Sequence, residues 1–284
     1  MTGVWIVAGY ALRESLRRRV FPIVLLLTLA FLGLYWLGVD KAFEEQADFA
    51  AGELVVDTAA FTGATMLGLA MFGTLFLGAV LAIFLTIGAI RGDAERGLLQ
   101  PLVVRPIGRR TVLAGRFLAA ASVCAVYVVL VYLAAVLATH ASGGWWPDSV
   151  VEPALALAAA VSVIAALSLF GSVFLSTTAN GIAVFMVFGA GLVGGLLGQI
   201  GEALPSQTLS DIARAVSYAL PFEALYQAGL NALTADTRGL TGVLVRLGPF
   251  GGAQEGGIGL LLWTAVYVAV IAVAAIVAFA RKDL

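Results

Sequence analysis

Reactive and charged side chains are scarce in this chain of 284 residues. It has one cysteine, one histidine and two lysines, and all charged residues together make up 12% of it. A single cysteine excludes an intrachain disulfide. Cys124 and His140 are the only residues of their types, and they do not have the ordinary spacing of a His/Cys metal cluster or a Cys–His nucleophile pair. Neither Lys41 nor Lys282 lies in a glycine-rich phosphate-binding loop, so the sequence has no such site for ATP and no recognisable set of catalytic residues.

Apolar residues are correspondingly abundant, at 61% of the chain compared with about 45–50% in soluble proteins. They occur in runs that approach or exceed the roughly 20 residues that a membrane-spanning helix needs. The runs cover about 20–39, 63–90, 118–139, 153–175, 182–200 and 257–280. The sequence therefore predicts an all-α integral membrane protein with six transmembrane helices in a single domain, 1–284.

No Asp, Glu, Lys or Arg lies well inside any of these six runs. Ionisable residues at membrane depth are typical of proton-coupled transporters and ion pathways. Their scarcity here argues against secondary active transport.

Two segments outside the spans predict further helices. Residues 1–19 have the periodicity of an amphipathic lead-in helix at the membrane surface. Residues 201–256 form a long loop, in which 211–220 and 222–233 predict short amphipathic helices on either side of Pro221.

Residues 91–117, here called the basic island, separate the second and third spans. The island holds six arginines, Arg91, Arg96, Arg105, Arg109, Arg110 and Arg116. One arginine at the centre of a spanning helix costs about 2.5–3.5 kcal/mol on insertion scales, so the island lies in water. With six spans, 12 of the 16 basic residues fall on the side of the N-terminus. This distribution predicts that both termini and the island are cytoplasmic and that 201–256 is extracytoplasmic.

The island itself predicts a short helix along the membrane. Asp93 and Glu95 favour the positive end of a helix dipole, and Arg105–Pro106 ends the helix. An apolar stripe lies between them at Leu98, Leu99, Leu102 and Val103. Such a stripe in a charged loop indicates a docking surface for a soluble partner or a helix resting on lipid headgroups. Gly108 is placed to cap a further helix from Arg109 onward.

The fifth span is rich in glycine. Gly191, Gly194, Gly195 and Gly198 form two overlapping G-x-x-x-G pairs, a pattern that lets helix backbones approach closely. The pattern predicts a helix-packing face whose partner is a helix of the same chain or of a second copy, and a thin-walled substrate path is a third reading.

The basic island carries a resemblance to a known family. The residues concerned are Asp93, Glu95, Gly97, Leu98, Leu99, Arg105, Pro106, Ile107 and Arg109, with Gly115 and Arg116 at the third span. In this order, after a lead-in helix, a span, an acidic loop and a second span, they resemble the membrane subunit of type-2 ATP-binding-cassette (ABC) exporters.

The resemblance implies a permease of the cell membrane that works as a dimer, with a second copy or a similar subunit. Two cytoplasmic ABC ATPase subunits would bind ATP and Mg²⁺, whereas this chain would bind no cofactor and no nucleic acid. The island helix would be the coupling helix that enters the ATPase. Its interface would consist of Asp93, Glu95, Arg96, Gly97, Leu98, Leu99, Leu102, Val103, Arg105, Pro106 and Arg109.

The uncharged spans suit an amphipathic or apolar cargo. Two other classes of protein fit the sequence, namely a structural or regulatory membrane subunit without a transport path and an ATP-independent uniporter or channel. Co-purification with a soluble ATPase distinguishes them.

Overall fold

The computed structural model describes residues 9, 20–49, 57–87, 108–204, 206–237, 241 and 256–281. Eight α-helices and no strand lie within these ranges. In chain order they are α1 Val20–Phe49, α2 Thr58–Thr86, α3 Arg109–Gly143, α4 Val151–Phe174, α5 Thr177–Ala203, α6 Gln207–Ala219, α7 Pro221–Ala232 and α8 Ile258–Ala280. Six of them, α1 to α5 and α8, are long and apolar enough to cross a membrane. The prediction of an all-α protein with six transmembrane helices is confirmed.

Some helices extend beyond the predicted spans. Helix α1 runs to Phe49 rather than to residue 39, and α3 begins at Arg109 rather than at residue 118. Gly108 is the N-cap of α3 in an extended conformation, which confirms that prediction. Residues 91–107 of the basic island and all of the predicted lead-in helix except Gly9 lie outside the described residues. The island helix and the orientation in the membrane therefore stay predictions.

The spanning helices alternate in direction, which gives the bundle two ends. The island end holds the end of α2, the start of α3 and the end of α8; the opposite end, here called the hairpin end, holds the short helices α6 and α7. Every acidic side chain that the structure describes belongs to the hairpin half of the bundle. These are Asp40, Glu44, Glu45, Asp57, Asp148, Glu152, Asp211, Glu223 and Asp236.

Helices α2, α3 and α4 form the centre of the bundle, and small residues let them pack closely. A β-carbon added at Gly78 of α2 would lie 2.4 Å from Cγ1 of Val128 in α3 and 2.8 Å from Cγ1 of Val161 in α4. Lipid tails are as apolar as core side chains, so close packing contributes more than hydrophobic burial to helix association in a membrane.

Helix α1 is joined to α3 by buried polar pairs. The hydroxyls of Tyr35 and Thr139 are 2.6 Å apart, and those of Thr28 and Tyr127 are also hydrogen-bonded. Interhelical hydrogen bonds of this kind contribute about 0.6–2 kcal/mol each in membranes. The opposite face of α1 exposes large apolar residues such as Leu34 and Trp36, as expected of a helix that faces lipid.

Helix α8 packs against α3 and α4 near the island end. A separate cluster of buried residues joins the three helices there, consisting of Leu113, Leu169, Val173, Ala275 and Phe279. Most other large side chains of α8, including Leu262 and Val270, are exposed. The helix is therefore a peripheral span that is attached along one face.

Candidate functional site

Helices α6 and α7 form a hairpin that folds back along α5. Only residues 204–206 separate α5 from α6, and the amide of Ser206 donates to the carbonyl of Gly201 at 2.9 Å. Leu220 separates α6 from α7, and Pro221 occupies the first turn of α7, where its fixed φ and missing N–H are tolerated. The α6–α7 hairpin therefore enters the bundle from the hairpin end and returns to it.

Helix α6 lies on the glycine face of α5 in antiparallel register. A β-carbon at Gly198 would lie 3.2 Å from that of Ala213, and one at Gly194 would lie 2.3 Å from Cγ1 of Val216. The absence of side chains at these glycines lets the two backbones approach closely. Of the readings left open by the sequence, the structure places a helix of the same chain on this face.

The tip of the hairpin lies deep in the bundle. Phe222 contacts Gly191, which is near the midpoint of α5, so the hairpin reaches roughly 18 Å along that helix at 1.5 Å per residue. The ring of Phe222 stacks on Phe188 of α5 at 5.6 Å, and Phe188 lies 6.3 Å from Phe76 of α2. This aromatic row links the hairpin tip to two spanning helices.

A buried carboxyl group lies beside the aromatic row. Glu223 is 1% exposed, and it is the only buried side chain among the described Asp, Glu, Lys, Arg and His residues. Ser217 of α6 donates a hydrogen bond of 3.1 Å to Oε2 of Glu223. The other oxygen, Oε1, faces the backbone of Gly195, where a β-carbon would lie only 1.9 Å away. The carboxyl is therefore packed between α5, α6 and α7.

Amide side chains complete this polar cluster. Gln227 lies one turn after Glu223 on α7, and it accepts a hydrogen bond of 3.4 Å from Gln199 of α5. Glu223 also lies in the first turn of α7, where the helix dipole favours a negative charge.

Burial dominates the electrostatics of the cluster. Loss of hydration raises the pKa of the Glu223 carboxyl above its ordinary value of 4.5, although hydrogen bonds from Ser217 and Gln227 oppose the shift. Burial here thus disfavours the charged carboxylate relative to a carboxylate in water.

Glu223→Gln should remove a pH dependence of stability. Because its pKa is raised, the folded chain holds this proton more tightly than the unfolded chain, and stability falls as the pH rises from 4.5 to the raised pKa. Each unit by which folding raises the pKa changes the free energy of unfolding by about 1.4 kcal/mol across this pH range. The glutamine variant stays neutral, so its thermal midpoint in nanodiscs should not decline over this pH range. Above this range it should exceed the thermal midpoint of the wild type.

Glu152→Gln is the matched control, because Glu152 is an exposed glutamate in the first turn of α4. That variant should keep the wild-type decline with pH. Identical melting of wild type and Glu223→Gln at every pH would show that the Glu223 carboxyl has the same proton affinity in the folded and unfolded chain.

The hairpin is held at both of its ends by other elements. The indole N–H of Trp263 in α8 donates to the carbonyl of Tyr218 at 3.1 Å, close to the hairpin tip. After α7, the amide of Asp236 and the hydroxyl of Thr237 donate to the Asp148 carboxylate, at 2.9 and 3.1 Å. The hairpin therefore connects α5 and α8 with the loop between α3 and α4.

The structure describes only part of the predicted site. The coupling-interface residues from Asp93 to Pro106 lie outside the described residues, and of Arg109 only the helical backbone is described. Gly191, Gly194, Gly195 and Gly198 all lie under the hairpin. No group of three potential metal ligands occurs among the described His, Cys, Asp and Glu residues.

The Glu223 cluster was missed by sequence reasoning, which placed this residue in an extracytoplasmic loop. The sequence did contain one indication of this cluster: a glycine-rich span is followed directly by two short helices that can pack against it.

Residues 5–284 match the family model described as ABC-2 family transporter protein. Two relatives are named probable ABC transporter permease protein NosY. The relative from Pseudomonas aeruginosa is 32% identical over 177 residues, which is 62% of this chain and 58% of the relative. The relative from Stutzerimonas stutzeri is 33% identical over 141 residues, which is 49% of this chain and 46% of the relative. The aligned part spans about half the length of these relatives.

Proposed function

This chain belongs to the ABC-2 family of transporter proteins, and from that premise we propose that it is the permease subunit of an ATP-driven exporter. It is a multi-pass protein of the cell membrane and the membrane subunit of an ABC transporter. In the proposal it moves an amphipathic or apolar cargo out of the cytoplasm. The ATP is hydrolysed by a separate subunit, which binds the nucleotide and Mg²⁺.

The match of the family model to residues 5–284 is the observation that carries the proposal. It includes the basic island, and the sequence has no glycine-rich phosphate-binding loop of its own. In the proposal the energy comes from ATP that a partner subunit hydrolyses. The family implies association with a cytoplasmic ABC ATPase and a permease partner, and we propose two ATPase copies and a second copy of this chain or a similar subunit.

The exposed faces of α2 and α5 support an apolar or amphipathic cargo. Both helices expose large apolar residues along their length, namely Phe61, Leu69, Phe72, Phe76 and Phe84 on α2 and Ile182, Met186, Val193, Leu196 and Ile200 on α5. Phe76 and Phe188 bring the two helices together near the middle of the bundle. A second copy of the chain facing them would enclose a path with apolar walls.

In the proposal, the α6–α7 hairpin is the part of the permease that moves on the side of the membrane opposite the ATPase. Helix α5 starts at the island end and carries the α6–α7 hairpin on its glycine face. Because the two backbones pack closely, a displacement of α5 at the island end moves the hairpin with it. The hairpin would then act as the gate of the cargo path, driven by ATPase closure on the coupling helix.

Cysteine labelling should place the island in the cytoplasm. In a Cys124→Ala background, single cysteines at Glu45 and Gln254 should react with a membrane-impermeant reagent added to intact cells, whereas one at Gln100 should react only after lysis. The reason is the distribution of basic residues, 12 of 16 on the side of the island. External labelling at Gln100 would reverse the orientation.

The rate of ATP hydrolysis tests the function itself. The chain and its ATPase, expressed together from neighbouring genes and reconstituted in liposomes, should hydrolyse ATP faster when the exported class of amphiphile is present. A complex that never responds to any amphiphile across lipid, peptide and drug classes fits a structural subunit. Transport that continues without ATP fits a channel, and either result would contradict the proposal.

A further inference from the structure

An apolar groove opens between α3, α4 and α8 at the island half of the bundle. Its volume is about 250 Å³, which exceeds the roughly 150 Å³ of an apolar cavity that accepts benzene. Small residues create the space, among them Ala114, Ala166 and Ala272, while Phe117, Phe170 and Ile276 form its larger walls. Almost no polar surface lines the groove.

The island end of the groove borders packed side chains. Leu113, Leu169 and Ala275 line the groove and also belong to the packed cluster that includes Phe279 near the end of α8. The groove is therefore an apolar slot whose island end borders a cluster of packed side chains.

Cationic side chains lie near the island end of the groove. Arg110 is exposed and lies one turn before Ala114, on the face of α3 that lines the groove. The Cα atoms of these two residues are therefore roughly 6 Å apart along the helix axis. Arg281 is exposed and follows α8 directly. The packing of Leu113 with Phe279 brings these two helix ends together. The acidic side chains that the structure describes all belong to the opposite half of the bundle.

We propose that this groove is a binding site for one anionic phospholipid, with an acyl chain in the slot between α3, α4 and α8 and the phosphate headgroup on Arg110 and Arg281. An acyl chain fits walls that offer no hydrogen-bonding group. Two exposed arginines at one end of an apolar slot favour a headgroup with net negative charge over a zwitterionic one. The lipid would bridge a core helix, α4, to the peripheral α8 and to the helix that follows the basic island.

Native mass spectrometry of the protein released from nanodiscs tests the site. The nanodiscs contain phosphatidylglycerol and phosphatidylethanolamine in equal amounts and with identical acyl chains. The wild type should retain one phosphatidylglycerol in several-fold excess over phosphatidylethanolamine. Arg110→Gln and Arg281→Gln should each lower that preference by roughly fivefold. This factor is the contribution of one basic residue to the affinity for an anionic lipid headgroup.

Two matched variants separate the groove from the general lipid surface. Ala272→Phe fills the slot and should abolish retention of the lipid, whereas Ala269→Phe, at an exposed position on the same helix, should not. Arg214→Gln removes an exposed arginine from the hairpin end and should leave the preference unchanged. Where Ala272→Phe fails to fold, Ala272→Leu replaces it. Equal retention of the two lipids by the wild type, or a preference that survives both arginine substitutions, would overturn the proposal.

Discussion

Gly195→Leu should abolish cargo-stimulated ATP hydrolysis while the chain still inserts into the membrane. A β-carbon at residue 195 would lie 1.9 Å from Oε1 of Glu223 and 2.9 Å from Nε2 of Gln227. Even alanine has no room there, and the remaining atoms of leucine would force the hairpin away from α5. Insertion should persist because leucine is favourable in hydrocarbon. We expect a loss of at least tenfold in stimulated turnover.

Gly189→Leu is the matched control, since a β-carbon at Gly189 would meet nothing within 4 Å. It makes the same chemical change on the same helix without meeting the hairpin, so the hairpin should keep its position on α5. A disulfide reports hairpin position directly: Gly198→Cys and Ala213→Cys, whose β-carbons would be about as close as a disulfide requires, should cross-link in a Cys124→Ala background. Gly195→Leu should prevent that cross-link. Full turnover and normal cross-linking in Gly195→Leu would show that close packing here is dispensable.

Leu98→Asp or Leu99→Asp should abolish co-purification of the ATPase. The sequence predicts that both leucines belong to the apolar stripe of the coupling helix. Burying one leucine in a partner stabilises the complex by about 1.5–3 kcal/mol, and an aspartate adds the cost of burying an unpaired charge. The amount of ATPase captured with the tagged chain should fall by at least tenfold.

Glu95→Ala and Arg105→Ala are the matched comparison, because both residues border the stripe. Exposed ion pairs contribute about 0–1 kcal/mol, so these variants should retain the ATPase although they reduce coupling of hydrolysis to transport. A helix that rests on lipid headgroups predicts a different pattern, in which the aspartate variants lose membrane insertion or expression. Aspartate variants that insert normally and capture a full amount of ATPase would exclude this stripe as the docking surface.

The six spans could be predicted because each depends on local composition alone. An apolar run of about 20 residues has few alternatives to a membrane helix. Helix ends were less predictable, since hydropathy marks where hydrocarbon ends and not where the helix ends. Helix α3 begins at the Gly108 cap, well before its apolar run, and α1 continues through Lys41, whose ammonium group pairs with Glu44.

The depth of the hairpin could not be predicted in the same way. Helix α6 carries Gln207, Asp211 and Arg214, which are typical of a surface helix in an aqueous loop. Its position depends on close packing against glycines of α5, a tertiary contact that local periodicity does not reveal. The packing face was predicted from the glycine spacing, whereas the hairpin that occupies it was not.

Because the position of the hairpin could not be predicted, the burial of Glu223 could not be predicted either. The six apolar runs have no charged residue well inside them, but the hairpin brings a carboxyl group to the level of Gly195. The apolar runs therefore do not reveal the ionisable group that is buried beside α5. The coupling-interface residues from Asp93 to Pro106 remain predictions from the sequence.

The number of ATPase subunits bound per chain shows whether this protein is the membrane subunit of an ATP-driven exporter. The tagged chain is expressed with its neighbouring genes, purified in mild detergent and analysed by quantitative mass spectrometry. The account predicts one soluble ABC ATPase for each copy of the chain, in a complex that hydrolyses ATP. A chain that purifies intact and folded from those membranes with no nucleotide-binding subunit would contradict it.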